Sequence, residues 1–175
     1  MDILSLIDSV DIIRIATRMP VTMPSLITQK MINILSKFDK LWIITHFNHP
    51  KELTIEAVDK CRKLINTGIQ ILNQTVLLKG INDNPDTLEE LFRTLIKNKI
   101  KPLYLFHLDP VKGVKHFATG IEKGLNILKQ FRGTLSSLAT PHFAIDLPEG
   151  GGKVSLQCSY SNDNINFTSN EEDKL

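Results

Sequence analysis

Cysteine is scarce: Cys61 and Cys158 are the only two in 175 residues. Two distant thiols make no disulfide scaffold, and they point to a reducing compartment. By themselves they hold neither a zinc ion nor an iron–sulfur cluster. Charge is never concentrated. Against 21 basic residues stand 19 acidic ones, leaving a net +2 with no block of one sign. Neither nucleic acid nor a membrane surface is favoured as a partner. Long apolar runs are missing too, since stretches such as LWII (41–44) are far too short to span a bilayer. The start, MDILSLIDSVDIIRI, has no basic segment or cleavage site, so no signal peptide is read and a cytoplasmic protein is expected. Glycine numbers only nine, yet three of them stand together in IDLPEGGGK (145–153).

What is present is a repeat. The hydrophobic fraction of 42% is enough to fill a core. Short β-branched runs recur as DIIRIAT (11–17), LWIITH (41–46), IQILNQ (69–74), LYLFH (103–107) and HFAID (142–146), and a helical pattern follows each of the first four. Ile27, Met31, Ile34, Leu35 and Phe38 give one helical stripe. Thr54 reads as an N-cap and Gly68 as a stop for the next helix. Asn84-Pro85 opens a third, with Leu88, Leu91, Phe92, Leu95 and Ile96 on its face. Thr119 and Glu122 have capping-box spacing ahead of Ile121, Leu125 and Leu128. Such alternation predicts an α/β chain with a parallel sheet, either part of a barrel or doubly wound. In both, ligands gather where strands end. Those ends carry Arg18, Thr45, His46, Asn73, Gln74, His107, Asp109 and Asp146. Polar groups at so many ends point to a site more than to a set of loop caps.

The glycine–lysine stretch admits three readings. A phosphate-binding P-loop needs G-x-x-x-x-G-K-S/T, but Leu147 lies five residues before Gly152 and Val154 follows the lysine. That excludes it. A plain turn suits Pro-Glu-Gly-Gly-Gly and is what the residues alone favour. The third is a lysine delivered by backbone that passes close to a bulky ligand. In a dry pocket such an amine suits Schiff-base chemistry.

Five stretches decide between the last two. IIRIATRMPV (12–21), THFNHPKELT (45–54), NQTVLLKGIND (73–83), LDPVKGVKHF (108–117) and IDLPEGGGKV (145–154) resemble the C-terminal half of the lysine 2,3-aminomutase family. They come in the family's order and spacing, from about residue 10 to residue 155. These enzymes use S-adenosylmethionine (SAM), a 4Fe-4S cluster and pyridoxal phosphate. The resemblance implies a partial (β/α) barrel of the radical SAM type over residues 1–155, and residues 156–175 are expected to be a polar, flexible tail. It implies that Lys153 holds pyridoxal phosphate and that Asp109 and Asp146 read the side-chain ammonium of substrate L-lysine. Charge compensation for a desolvated cation makes physical sense of that pair. Gln74 and His46 are implied to lie near SAM. The reaction implied is conversion of L-lysine to β-lysine by a radical 1,2-amino shift, an isomerisation whose hard steps belong to the cofactors.

The resemblance also has gaps. The family's C-x-x-x-C-x-x-C cluster motif lies in an N-terminal half with no counterpart here, so this chain alone is not expected to cleave SAM and holds no metal. Strand 11–17 is expected to leave an open sheet edge. Where the family has a hydroxyl-bearing aromatic and a glycine, this chain has Phe106 and Glu149. His46 and His49 form H-x-x-H without a third ligand, so no metal is expected there. A separately encoded N-terminal half would complete the enzyme, and the family forms homo-oligomers. The alternatives are the relative that serves elongation factor P β-lysylation, which typically lacks the residue at Asp146, and a non-catalytic remnant or partner subunit.

Overall fold

The computed structural model describes residues 1–109, 111–147 and 151–156. Glu149, Cys158 and the expected tail from residue 157 onward lie outside them. Five strands, β1 (Ile13–Ala16), β2 (Leu41–Thr45), β3 (Gln70–Val76), β4 (Lys101–Phe106) and β5 (His142–Asp146), coincide with the five β-branched runs. Two short helices, α1 (Asp2–Ser5) and α2 (Met19–Thr22), flank β1. The crossovers carry α3 (Gln29–Leu35), α4 (Ile55–Ile65), α5 (Pro85–Lys97) and α6 (Ile121–Gln130).

All five strands pair in parallel and in sequential order. A doubly wound sheet reverses direction at a switch point, and this one does not. Each step moves one strand further the same way, which is the winding of a barrel. The result is a half-barrel with β1 at one edge. One face of the sheet supplies Ile13, Ile43, Ile71, Leu105 and Phe143, all buried in a single core with the helices. Its largest helical contribution is α5, where Leu88, Leu91, Phe92 and Leu95 are fully buried. The opposite face carries Arg14, Trp42, Gln70, Gln74, Tyr104 and His142 in register, and every one of them is exposed or half-buried. A strand has a period of two, so these alternate positions line the open inside of the barrel.

Caps follow the expected chemistry at two helices. Thr54 Oγ1 accepts from Ala57 N–H and Asn84 Oδ1 from Thr87 N–H, and Gly68 sits at φ +96°. Three details differ from expectation. In α3 the buried residues are Ile32 and Leu35, and Ile34 is 48% exposed, one step of about 100° round the helix from the core. The capping box at α6 does not form. Gly120 is the N-cap, so Glu122 falls one place short, and Thr119 Oγ1 is buried without a hydrogen-bond partner among the described residues. Gly124 is the residue that meets the sheet there, and a Cβ on it would lie 2.3 Å from Phe143 Cζ.

The third difference is a sixth strand. β6 (Lys153–Leu156) runs antiparallel to β5, pairing Asp146 with Lys153 and Phe143 with Leu156. Gly151 and Gly152 therefore lead directly into the returning strand of a hairpin. Leu147 N–H donates to Gly152 O at 2.9 Å, and Gly152 adopts φ +80°, a conformation glycine takes without a Cβ penalty.

Candidate functional site

Strand ends position the site. Directly after β2 come His46, Phe47 and Asn48, and three buried polar residues around β3 pin this turn. Asn73 Oδ1 accepts from Phe47 N–H at 2.7 Å, and its Nδ2 donates to Phe47 O at 3.0 Å and Thr75 Oγ1 at 2.9 Å. Thr75 Oγ1 donates in turn to Phe47 O at 2.9 Å. Asn82 Nδ2 bridges Asn48 O and Val76 O, and its Oδ1 accepts from Leu78 N–H. A loop whose backbone groups are satisfied in this way cannot drift without losing buried hydrogen bonds. Asn73 and Thr45 were candidates as strand-end groups, but both are fully buried and neither lines the cleft. Asn73 builds the scaffold, and Thr45 Oγ1 is buried without a hydrogen-bond partner among the described residues.

Gln74 faces the other way from Asn73, into the barrel. Here the register slips: Asn73 pairs with Pro102 and Gln74 with Tyr104, leaving Leu103 unmatched on β4. Such a bulge suits Pro102, which has no N–H to give the ladder.

The five residues named as site candidates converge. His46, Gln74, Asp109, Asp146 and Lys153 all line one open cleft of about 360 Å³. Phe106 and Val76 form its apolar floor, and Val111 and Val114 its rim beyond β4. That size lies at the small end of ligand pockets. Sequence reasoning had noted Phe106 for its missing hydroxyl alone. Alternation along β4 carries the missed signal, because Tyr104 and Phe106 share the cleft face.

Electrostatics differ across the cleft. At one end His46 is half-buried, and burial first and the Arg18 guanidinium second hold its ring below the ordinary 6.5. Arg18 is itself fixed to Glu52 Oε1 at 2.9 Å, and Glu52 Oε2 accepts from the N–H groups of Asn48 and His49. His49 Nδ1 accepts from Lys51 N–H, a local cap on the same turn. At the other end Lys153 Nζ donates to both oxygens of Asp146, at 2.7 and 3.0 Å, and lies 4.6 Å from the centre of the Phe106 ring. His107 stands between. Its Nε2–H donates to Thr119 O at 3.0 Å and its backbone N–H to Ala144 O at 2.9 Å.

An aldehyde cofactor fits the donor set at that end: a primary amine on a strand edge, beside a flat aromatic wall, with room in front of it. An iron–sulfur cluster does not fit Cys61. That thiol is fully buried on α4 and pushed up to about 12 by its burial, and a cluster takes thiolates.

Comparison with known proteins now narrows the identity. The chain is 50% identical over 155 residues to a protein of Aquifex aeolicus provisionally named L-lysine 2,3-aminomutase, covering 88% of this chain and 42% of that one. It is 41% identical over 157 residues to the L-lysine 2,3-aminomutase of Methanococcus maripaludis, covering 90% and 36%. The chain is a relative of the lysine 2,3-aminomutases. The glutamate 2,3-aminomutase of Clostridioides difficile is 44% identical over 154 residues, covering 88% and 36%. The chain thus spans about two fifths of the length of these curated aminomutases. No protein-family model matches it. Two solved structures share its fold. One is a radical SAM methyltransferase from Sphaerobacter thermophilus, with TM-score 0.51 and 16% identity over 66% of this chain and 38% of that one. The other is SuiB of Streptococcus suis bound to S-adenosylmethionine, with TM-score 0.53 and 14% identity over 78% and 33%. Among the described residues no helix is long and apolar enough to cross a membrane.

Proposed function

We propose that this chain supplies the pyridoxal phosphate and substrate side of a lysine 2,3-aminomutase that converts L-lysine to β-lysine. The carrying observation is that Lys153, Asp146 and Asp109 share one cleft with His46 and Gln74. Lys153 would hold pyridoxal phosphate. Bound there, the cofactor would carry the migrating amino group. Asp146 and Asp109 would accept the N–H groups of the substrate's far ammonium, a cation that needs acceptors once water is removed. The same pair disfavours a glutamate side chain, because like charges in one pocket repel. His46 and Gln74 would line the SAM end. The neutral ring of His46 presents one donor and one acceptor there. Phe106, Val76 and Val114 would give the reacting centre its apolar surface. SAM cleavage and the 4Fe-4S cluster belong to a part of the enzyme that Cys61 cannot replace.

The test is a titration of the purified chain with pyridoxal phosphate. A visible absorbance should grow in and be lost in Lys153→Ala. Loaded protein should then bind L-lysine in preference to L-glutamate. An unchanged absorbance in Lys153→Ala refutes the cofactor role. A preference for glutamate refutes the substrate assignment.

A further inference from the structure

We propose that Asp146 couples cofactor loading to cation binding: while Lys153 is free its ammonium fills the acceptor an alkylammonium ligand needs, and condensation of Lys153 with an aldehyde vacates it. This rests on the role proposed above for Lys153. The geometry comes from the hairpin. Register sets Asp146 directly opposite Lys153, and the Leu147–Gly152 hydrogen bond closes the turn between them. One ammonium engages both oxygens of the carboxylate. The face of Phe106 adds a second attraction for the same cation. The other charged or titratable groups lining the cleft are Asp109, His46 and His107. Asp109 makes no ion pair among the described residues. Before loading, therefore, one of the two carboxylates is already spent.

Condensation changes that. The amine releases a proton to solvent, its nitrogen bonds to the aldehyde carbon, and the carbonyl oxygen departs as water. The nitrogen no longer offers three N–H donors, and both carboxylates become available to a ligand cation. Linkage makes the effect reciprocal: a cation that takes Asp146 must favour condensation at Lys153. Both partners are about two fifths exposed, 41% and 40%, which makes this a surface pair. Surface pairs of this kind set the coupling at about two- to five-fold.

The full chain is titrated with pyridoxal phosphate at neutral pH, and the adduct at Lys153 is trapped with borohydride and counted by peptide mass. N,N-dimethylbutylamine serves as the cation, since a tertiary amine forms no imine. It should tighten the apparent Kd about two- to five-fold. Asp146→Asn should show the tighter value without the amine and no response to it. The series repeated with pyridoxal, which lacks the phosphate, should behave alike. No response in the wild-type chain, an equal response in Asp146→Asn, or an effect confined to the phosphorylated aldehyde overturns the coupling. If no adduct forms at Lys153 at all, the cofactor role itself fails, a distinct outcome.

Discussion

Asn73→Ala removes the residue that holds the His46 turn. Asn73 is fully buried and makes three hydrogen bonds. They are not equivalent. Phe47 O retains Thr75 Oγ1 after the substitution, whereas Phe47 N–H loses the side chain that satisfies it. An orphaned buried donor costs about 1–3 kcal/mol, and the remaining lost bonds about 1 kcal/mol more. The expected destabilisation is therefore about 2–4 kcal/mol, a large share of the roughly 5–15 kcal/mol that holds a domain together. Thr75→Val is the internal comparison. It deletes a hydroxyl: Phe47 O keeps Asn73 Nδ2, but the second Nδ2 hydrogen loses its acceptor, so about 1–3 kcal/mol is expected, about 1 kcal/mol less than for Asn73→Ala. Urea unfolding followed through Trp42, the one tryptophan in the chain, measures both. If Asn73→Ala lies within about 0.5 kcal/mol of the parent, or Thr75→Val costs as much, the clamp is not what fixes the turn.

Two further perturbations test separate parts of the fold. His46 should titrate below 6.5 by NMR, and Arg18→Met should raise its midpoint only partway, because burial is the larger cause. The unfolded chain takes up the His46 proton first on acidification, so this stabilisation is full above 6.5 and is lost as pH falls through the lower folded midpoint. A midpoint above 6.5, or one that ignores Arg18→Met, contradicts this. Gly124→Ala gains about 0.8–1 kcal/mol of helix propensity but sets a Cβ within 3.0 Å of three atoms of the Phe143 ring. Overpacking of about 1–3 kcal/mol should win, and a lower melting temperature is expected. In a Phe143→Leu background the same change should become stabilising. A Gly124→Ala chain that melts higher than the parent would show that the ring yields freely.

Period and capping chemistry explain why most of the fold was legible. Five strands and the cores of α4 and α5 follow from β-branched runs, Thr54, Asn84-Pro85 and an unambiguous apolar stripe. What escaped was decided by tertiary contact. Ile34 and Ile32 are equally apolar, and only packing chooses between them. Thr119 has the right spacing for a cap, but its segment serves His107 and the helix starts one residue later. KVSL is too short to announce a strand. It becomes one because β5 offers an open edge and Gly152 can turn back. At the site, the clustering of Lys153, Asp146, Asp109, His46 and Gln74 follows from the rule that ligands meet strand ends. The contact between Lys153 and Asp146 does not, since a hairpin register is invisible until the hairpin is known.

Relatives named for lysine match this chain at 41% and 50%, and one named for glutamate falls between them at 44%. Overall likeness therefore does not choose the substrate; a few cleft charges must. Their placement makes that choice separable from folding. Asp109 is exposed beyond β4, Asp146 is half-buried at the end of β5, and neither belongs to the core. Replacing either side chain leaves no buried group unpaired, so it should alter recognition at little cost in stability. The buried asparagines are the opposite case. Asn73 and Asn82 do not line the cleft, yet each satisfies buried backbone at the turn carrying His46 and Asn48. On the role proposed for Asp109 and Asp146, a change of side-chain charge in the substrate would be met at those two positions and would leave the asparagines unchanged. The turn is thus a fixed frame, Asp109 and Asp146 stand outside it, and Lys153 pairs with Asp146 from the neighbouring hairpin strand.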